Sequence, residues 1–130
     1  ACGGGVNHRM GLYDAFLIKD NHLQVAGGVT QAVALARAAD PELPITVEVE
    51  NLDQLREAVN CTTERIMLDN MPVDVMREAV AIVGGRAEVE ASGGITLATI
   101  REVALTGVDV ISVGAITHSA LWLDVSLEVS

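Results

Sequence analysis

His8, Arg9, Lys19 and His22 crowd into the first 22 residues of a chain that is otherwise acidic. An arginine can grip a carboxylate through two parallel N–H bonds, and a lysine adds a compact point charge. Asn7-His8-Arg9 with Lys19 ten residues later is therefore a cationic corner suited to an anionic ligand. A second group is acidic: Glu48, Glu50, Asp69, Glu88 and Glu90 recur at regular intervals along the chain. A third group is small. Ser92-Gly93-Gly94 and Gly114-Ala115 each stand before a helical pattern, where backbone N–H groups can approach a phosphate and a helix dipole favours it. Tight turns alone also explain such glycines. His118, four residues past Gly114, either reaches that turn or caps the last helix, and His22 is as well suited to a structural duty as to a chemical one.

These residues need elements to position them, and the hydropathy pattern supplies the elements. Short β-branched runs fall at Phe16–Lys19, Ile45–Glu50, Arg65–Asp69, Ala87–Ser92 and Val110–Gly114. Between them run helical stripes: Leu52, Leu55, Ala58 and Val59; Val73, Met76, Val80 and Val83; Leu97, Ile100 and Ala104. The Ala-rich stretch from Val29 to Ala39 is helical by propensity and apolar nearly all round, which predicts deep cover. Pro41 and Pro44 end it, and Pro72 suits the first turn of a later helix. Strand–helix–strand alternation without hairpin signals predicts parallel strands with right-handed crossovers, an α/β fold of βα units in series. No linker or low-complexity stretch divides residues 1–130, so a single βα-repeat unit is expected.

Strands covered on both faces read as continuous apolar runs, and these do not. Thr46, Glu48 and Glu50 share one side of their strand, Glu88, Glu90 and Ser92 one side of theirs, and Met67 with Asp69 and Ser112 with Gly114 repeat the pattern. One face turns polar toward the C-terminal strand ends, where α/β barrels and open α/β sheets place their ligands. The bland alternative is a sheet face open to water.

Composition narrows the partners. Eight basic against eighteen acidic residues give a net charge of −10, which excludes a nucleic-acid footprint and argues against an anionic membrane surface. No apolar run approaches the ~20 residues of a membrane helix, and no signal peptide opens the sequence. Cys2 and Cys61 fit neither a zinc spacing nor a disulfide scaffold. A cytoplasmic chain is expected. With three aromatic residues, the core must be aliphatic, and Tyr13 and Trp122 are expected to pack within it.

Taken in order, Gly3-Gly4-Gly5-Val6-Asn7-His8-Arg9, Ala15-Phe16-Leu17-Ile18-Lys19-Asp20-Asn21-His22, Val47-Glu48-Val49-Glu50-Asn51, Ile66-Met67-Leu68-Asp69-Asn70, Glu90-Ala91-Ser92-Gly93-Gly94-Ile95 and Val113-Gly114-Ala115-Ile116-Thr117-His118-Ser119 closely resemble the decarboxylating quinolinate phosphoribosyltransferases of NAD biosynthesis. The resemblance covers essentially the whole chain and matches the C-terminal barrel segment of that family. It implies the conversion of quinolinate and phosphoribosyl pyrophosphate to nicotinate mononucleotide, carbon dioxide and pyrophosphate, with Mg2+. It implies roles too: His8, Arg9 and Lys19 around the quinolinate carboxylates, Glu48 and Asp69 at the ribose hydroxyls and the magnesium-bound substrate, and Ser92, Gly93, Gly94, Gly114 and His118 at the phosphate end. Lys19, Glu48 and Asp69 are the catalytic candidates.

Members of the family are longer, with an N-terminal domain and a preceding barrel strand that carries further basic ligands. The resemblance thus implies an incomplete site, with weak phosphate binding and little turnover. The alternative is an engineered or truncated folding module with no catalysis. Two strand arrangements are open. An arc of an incomplete TIM-like barrel, in the order 1-2-3-4-5, leaves exposed edges that self-association would cover. An open doubly wound flavodoxin-like sheet would bury both faces, at a cost of several kcal/mol for each unpaired carboxylate. That cost favours the barrel arc, with Glu48, Asp69 and Glu90 lining a groove in water and Leu123–Val129 as a candidate edge element.

Overall fold

Each β-branched run forms a strand and each stripe a helix, and the way they join settles the architecture. The computed structural model describes residues 3–120 and 122–128. Strands β1 (Phe16–Ile18), β2 (Ile45–Val49), β3 (Arg65–Asp69), β4 (Glu88–Ser92) and β5 (Val110–Ile111) form one sheet. Its order is β1-β2-β3-β4-β5, and every pairing is parallel. Helices α1 (Asp20–Ala26), α2 (Val29–Ala39), α3 (Leu52–Asn60), α4 (Val73–Val83), α5 (Ile100–Ala104) and α6 (Ala115–His118) fill the connections. Right-handed crossovers between successive neighbours put the covering helices on one face, as in a barrel wall. β1 stands at an edge, so the chain is an arc of a TIM-like barrel and not a doubly wound sheet.

The helix-facing side is the core. Ile45, Val47 and Val49 of β2, Ile66 and Leu68 of β3, and Val89 and Ala91 of β4 are buried against Val29 and Val33 of α2, Leu55 and Ala58 of α3, and Met76, Ala79 and Val83 of α4. Adjacent helices also pack in chain order, α1 on α2, α2 on α3 and α3 on α4. Helix starts are held by specific groups. The Asn51 side chain accepts from the N–H groups of Asp53 and Gln54, at 3.1 and 3.0 Å, and so caps α3. The α2 start has no capping side chain of its own. Glu57 reaches across from α3 instead and accepts both the backbone N–H of Thr30, at 2.8 Å, and its hydroxyl, at 2.7 Å. Its negative charge also suits the positive end of the helix.

Several expectations need correction. α2 is covered along one face only: Val29, Ala32 and Val33 are buried while Leu35 is exposed, because the helix lies on the rim of a single sheet face. Leu97 falls in the turn before α5 and is 94% exposed; Ile95 and Val103 take the core positions there. Tyr13 and Trp122 are exposed, since one lies in the leading loop and the other beyond the last helix. β5 keeps only Val110 and Ile111, having a partner on one side alone. Residues 123–128 form no strand; Val129 and Cys2 lie outside the described residues. Cys61 is a free thiol whose Sγ lies 3.1 Å from the Glu57 carbonyl.

Candidate active site

The concave face of the arc carries the chemistry, and strand register orders it in rows. Thr46 pairs with Arg65, and Arg65 with Glu88; next come Glu48 with Met67 and Met67 with Glu90; then Asp69 with Ser92. Glu48 and Glu90 thus stand two strands apart, about 10 Å by ordinary strand spacing. The apolar residues between them in sequence point to the helices, so the alternation of the strands is what delivers carboxylates to this face.

Lys19 leaves the sheet at the end of β1 and becomes the residue preceding α1. Its Nζ lies 3.3 Å from Oε2 of Glu48, whose side chain is 12% exposed. The His22 ring accepts the backbone N–H of Lys19 at Nδ1, 2.9 Å away, so that nitrogen carries no proton while the bond holds. His22 therefore serves to fix the turn that aims Lys19.

At the other end of the row Glu90 is fully buried, 0% exposed. The groove in water expected for it does not exist, because longer side chains close over it. Arg65 Nη1 and His8 Nε2 both lie 3.2 Å from Glu90 Oε2, and the Ser112 hydroxyl donates to Oε1. Arg65 also donates through Nε to Glu88 Oε2 at 2.6 Å. A buried carboxylate without such partners is costly. Ser112 lies on the polar strand face expected for it, whereas Arg65 is not among the expected site residues although it shares the strand parity of Met67 and Asp69.

His8 sits in the leading loop, residues 3–15, which has no helix or strand. Asp14 organises this loop by accepting the Met10 N–H at 2.7 Å, and that bond, aided by Arg9, holds its carboxyl below the usual range against the opposing effect of burial. Asp14 Oδ1 is buried without a hydrogen-bond partner among the described residues. Arg9 donates to the Ala15 carbonyl at 3.4 Å and pairs with no carboxylate among the described residues.

Asp69 closes β3 beside Ser92, and its Oδ1 accepts the Asn70 side-chain amide at 3.0 Å. The Ser92 carbonyl accepts the Asn70 backbone N–H, also at 3.0 Å. Gly93 and Gly94 follow with φ of +91° and +60°. Gly114 precedes α6, and His118 folds back until its Nε2 is 3.2 Å from where a β-carbon on Gly114 would stand. His118 Nδ1 meets the Ser119 hydroxyl at 2.7 Å. The structure therefore joins Lys19 with Glu48, Asp69 with Ser92 and Gly114 with His118, and it ties His8 to Glu90; Arg9 stands apart from these pairs.

Glu48 and Asp69 are the acids nominated for magnesium. Among the described residues no three His, Cys, Asp or Glu side chains gather as a cation site, and Glu48 already faces Lys19. The two carboxylates, a residue row apart on neighbouring strands, are not a cage for a resident divalent ion. Among the described residues, no helix is long and apolar enough to cross a membrane.

The family model described as the C-terminal domain of quinolinate phosphoribosyl transferase matches residues 1–128. A carboxylating nicotinate-nucleotide pyrophosphorylase of Mycobacterium leprae is 48% identical over 129 residues, covering 97% of this chain and 45% of the relative. A chloroplastic one of Arabidopsis thaliana is 40% identical over 146 residues, covering 98% of this chain and 42% of the relative. The solved nicotinate-nucleotide pyrophosphorylase of Francisella tularensis superposes with a TM-score of 0.86 at 48% identity, over 89% of this chain and 41% of that one. The chain thus spans less than half the length of these relatives.

Proposed function

Because the chain belongs to the quinolinate phosphoribosyl transferase family through its C-terminal domain, we propose that its concave face is the substrate floor of that reaction. Quinolinate and phosphoribosyl pyrophosphate would give nicotinate mononucleotide, carbon dioxide and pyrophosphate. The observation that carries this reading is the Lys19–Glu48 pair, 3.3 Å apart and half open to solvent at Lys19, at the C-terminal end of the strands. A half-exposed lysine there can turn another N–H of its ammonium to a ligand carboxylate while Glu48 keeps the first.

Quinolinate carboxylates meet His8, Arg9 and Lys19, of which Arg9 makes no ion pair within 4 Å among the described residues and acts on Asp14 only through its charge. Glu48 and Asp69 face the ribose. As pyrophosphate leaves, positive charge grows on the sugar, and fixed carboxylates beside it stabilise that charge. Ser92, Gly93, Gly94, Gly114 and His118 take the phosphate end, where small residues leave backbone N–H groups open to approach. Magnesium, required by this reading, travels with the pyrophosphate of the substrate.

Both substrates are anions and the chain carries a net charge of −10, so encounter and affinity are weakened. We expect weak phosphate binding and little turnover from these 130 residues alone. Self-association belongs to the same reading: β1 and β5 each pair on one side only among the described strands, and Leu123, Val125 and Leu127 are exposed near a 93% exposed Trp122. A cytoplasmic setting is proposed with it. Calorimetric titration with quinolinate, then with inorganic phosphate, tests the assignment. Binding of both, each displaced by nicotinate mononucleotide, is expected; binding of neither would leave a folding module without a site.

A further inference from the structure

We infer that Glu90 is a positioning residue, the buried carboxylate that aims His8 at the substrate's carboxylate; this rests on the proposed quinolinate site. His8 belongs to a loop without regular structure, so nothing in the local backbone fixes its ring. Glu90 can fix it, because Glu90 is itself immobilised from three directions. The Ser112 hydroxyl donates to Oε1, Arg65 Nη1 lies 3.2 Å from Oε2, and the strand around it is paired on both sides, by β3 and β5. Arg65 is held in turn by Glu88, at 2.6 Å. The order of the sheet thus passes through Glu88, Arg65 and Glu90 to a single loop residue.

The contact also bears on the chemistry of the ring. Nε2 lies at ion-pair distance, 3.2 Å, from an oxygen that can only accept, so this is the nitrogen on which a ring proton is stabilised. Nδ1 is left without a partner among the described residues, on a side chain 28% exposed. A fixed carboxylate in contact behind a histidine orients the ring, much as carboxylates behind metal-bound histidines orient those rings. With Nε2–H turned to Glu90, the open side of the ring offers a second donor, Nδ1–H, to an anion only in the doubly protonated form.

The test uses the 130-residue chain. In the ligand-free protein, the His8 Nε2 proton is observed by nitrogen–proton NMR correlation and by its exchange with water. In the parent it should be protected. Glu90→Leu removes the acceptor while Arg65 keeps Glu88, and Glu90→Asp keeps the charge but withdraws the oxygen by a methylene; both should lose the protected signal. Glu90→Gln keeps an acceptor and should restore it. Quinolinate affinity should fall about tenfold or more in Glu90→Leu and Glu90→Asp, and recover to within about threefold in Glu90→Gln, with inorganic phosphate affinity unchanged. A purely structural role would weaken both ligands together. Unchanged His8 protection in Glu90→Leu or Glu90→Asp overturns the inference whatever the ligands do. If the parent binds no quinolinate while the protection pattern holds, the substrate assignment fails and the His8–Glu90 tether stands. Should Glu90→Leu not fold, Glu90→Asp decides alone.

Discussion

The side-chain amide of Asn70 fills the space that a β-carbon on Gly93 would need. The two residues close neighbouring strands, and both have positive φ, +51° at Asn70 and +91° at Gly93. Gly93 is therefore constrained twice, by its own backbone and by its neighbour, and Asn70 in turn braces Asp69 at 3.0 Å. A glycine selected only for a phosphate turn would carry the first constraint alone.

Gly93→Ala should accordingly destabilise the fold by about 1–3 kcal/mol, from the left-handed conformation and the displaced amide. Adding Asn70→Gly should return the steric share and leave the backbone share. Thermal melts of the single and double variants measure both, and a Gly93→Ala protein as stable as the parent would refute the steric account.

Lys19→Ala should weaken quinolinate binding roughly tenfold to a hundredfold, the range of a lost charge-assisted hydrogen bond. It should also lower the melting temperature, because Lys19 is half exposed but Glu48 is only 12% exposed and loses its ion-pair partner. Calorimetry beside a melt separates these effects.

Acid should destabilise the fold below the ordinary carboxylate range. The backbone N–H of Thr30, and then its hydroxyl, hold the Glu57 carboxyl below its usual value. Burial pushes Glu64 up, but the Ile45 N–H and Arg37 outweigh it and leave it lowered as well. A folded value below the unfolded one means stability that is complete above the unfolded value and lost as pH falls through the folded one. Melting temperature against pH should therefore drop on the acid side. Glu57→Gln and Glu64→Gln should each flatten that drop while lowering stability near neutrality.

Leu68→Ala should cost about 2–5 kcal/mol, since the side chain is wholly buried between β3 and the helices. Leu97→Ala, at a position that belongs to an apolar stripe in the sequence, should fall within about 0.5 kcal/mol of the parent. Urea titration of the two variants compares stripe and core directly.

Sedimentation velocity across a concentration series should show a dimer or larger species gaining weight as concentration rises. A single monomer at all concentrations would remove self-association from the proposal.

Periodicity by itself determined the parallel βα series, and the polar parity of each strand determined which face would hold Glu48, Asp69 and Ser92. Both are local properties: side chains alternate along a strand whatever its neighbours are. The motifs carried the family for the same reason, each being a short contiguous run. Tertiary structure decided who meets whom. Arg65 became the partner of Glu88 and Glu90 only because β3 and β4 pair in one particular register. Glu90 became buried and not bathed in water because His8, eighty-two positions earlier in the chain, folds back onto it. Leu97 reads as core by its place in an apolar stripe and Trp122 by its residue type, but both are exposed, because helix length and chain course left them without a surface to cover. Cross-strand register and loop closure are non-local, and their energy exists only once the distant segments have come together.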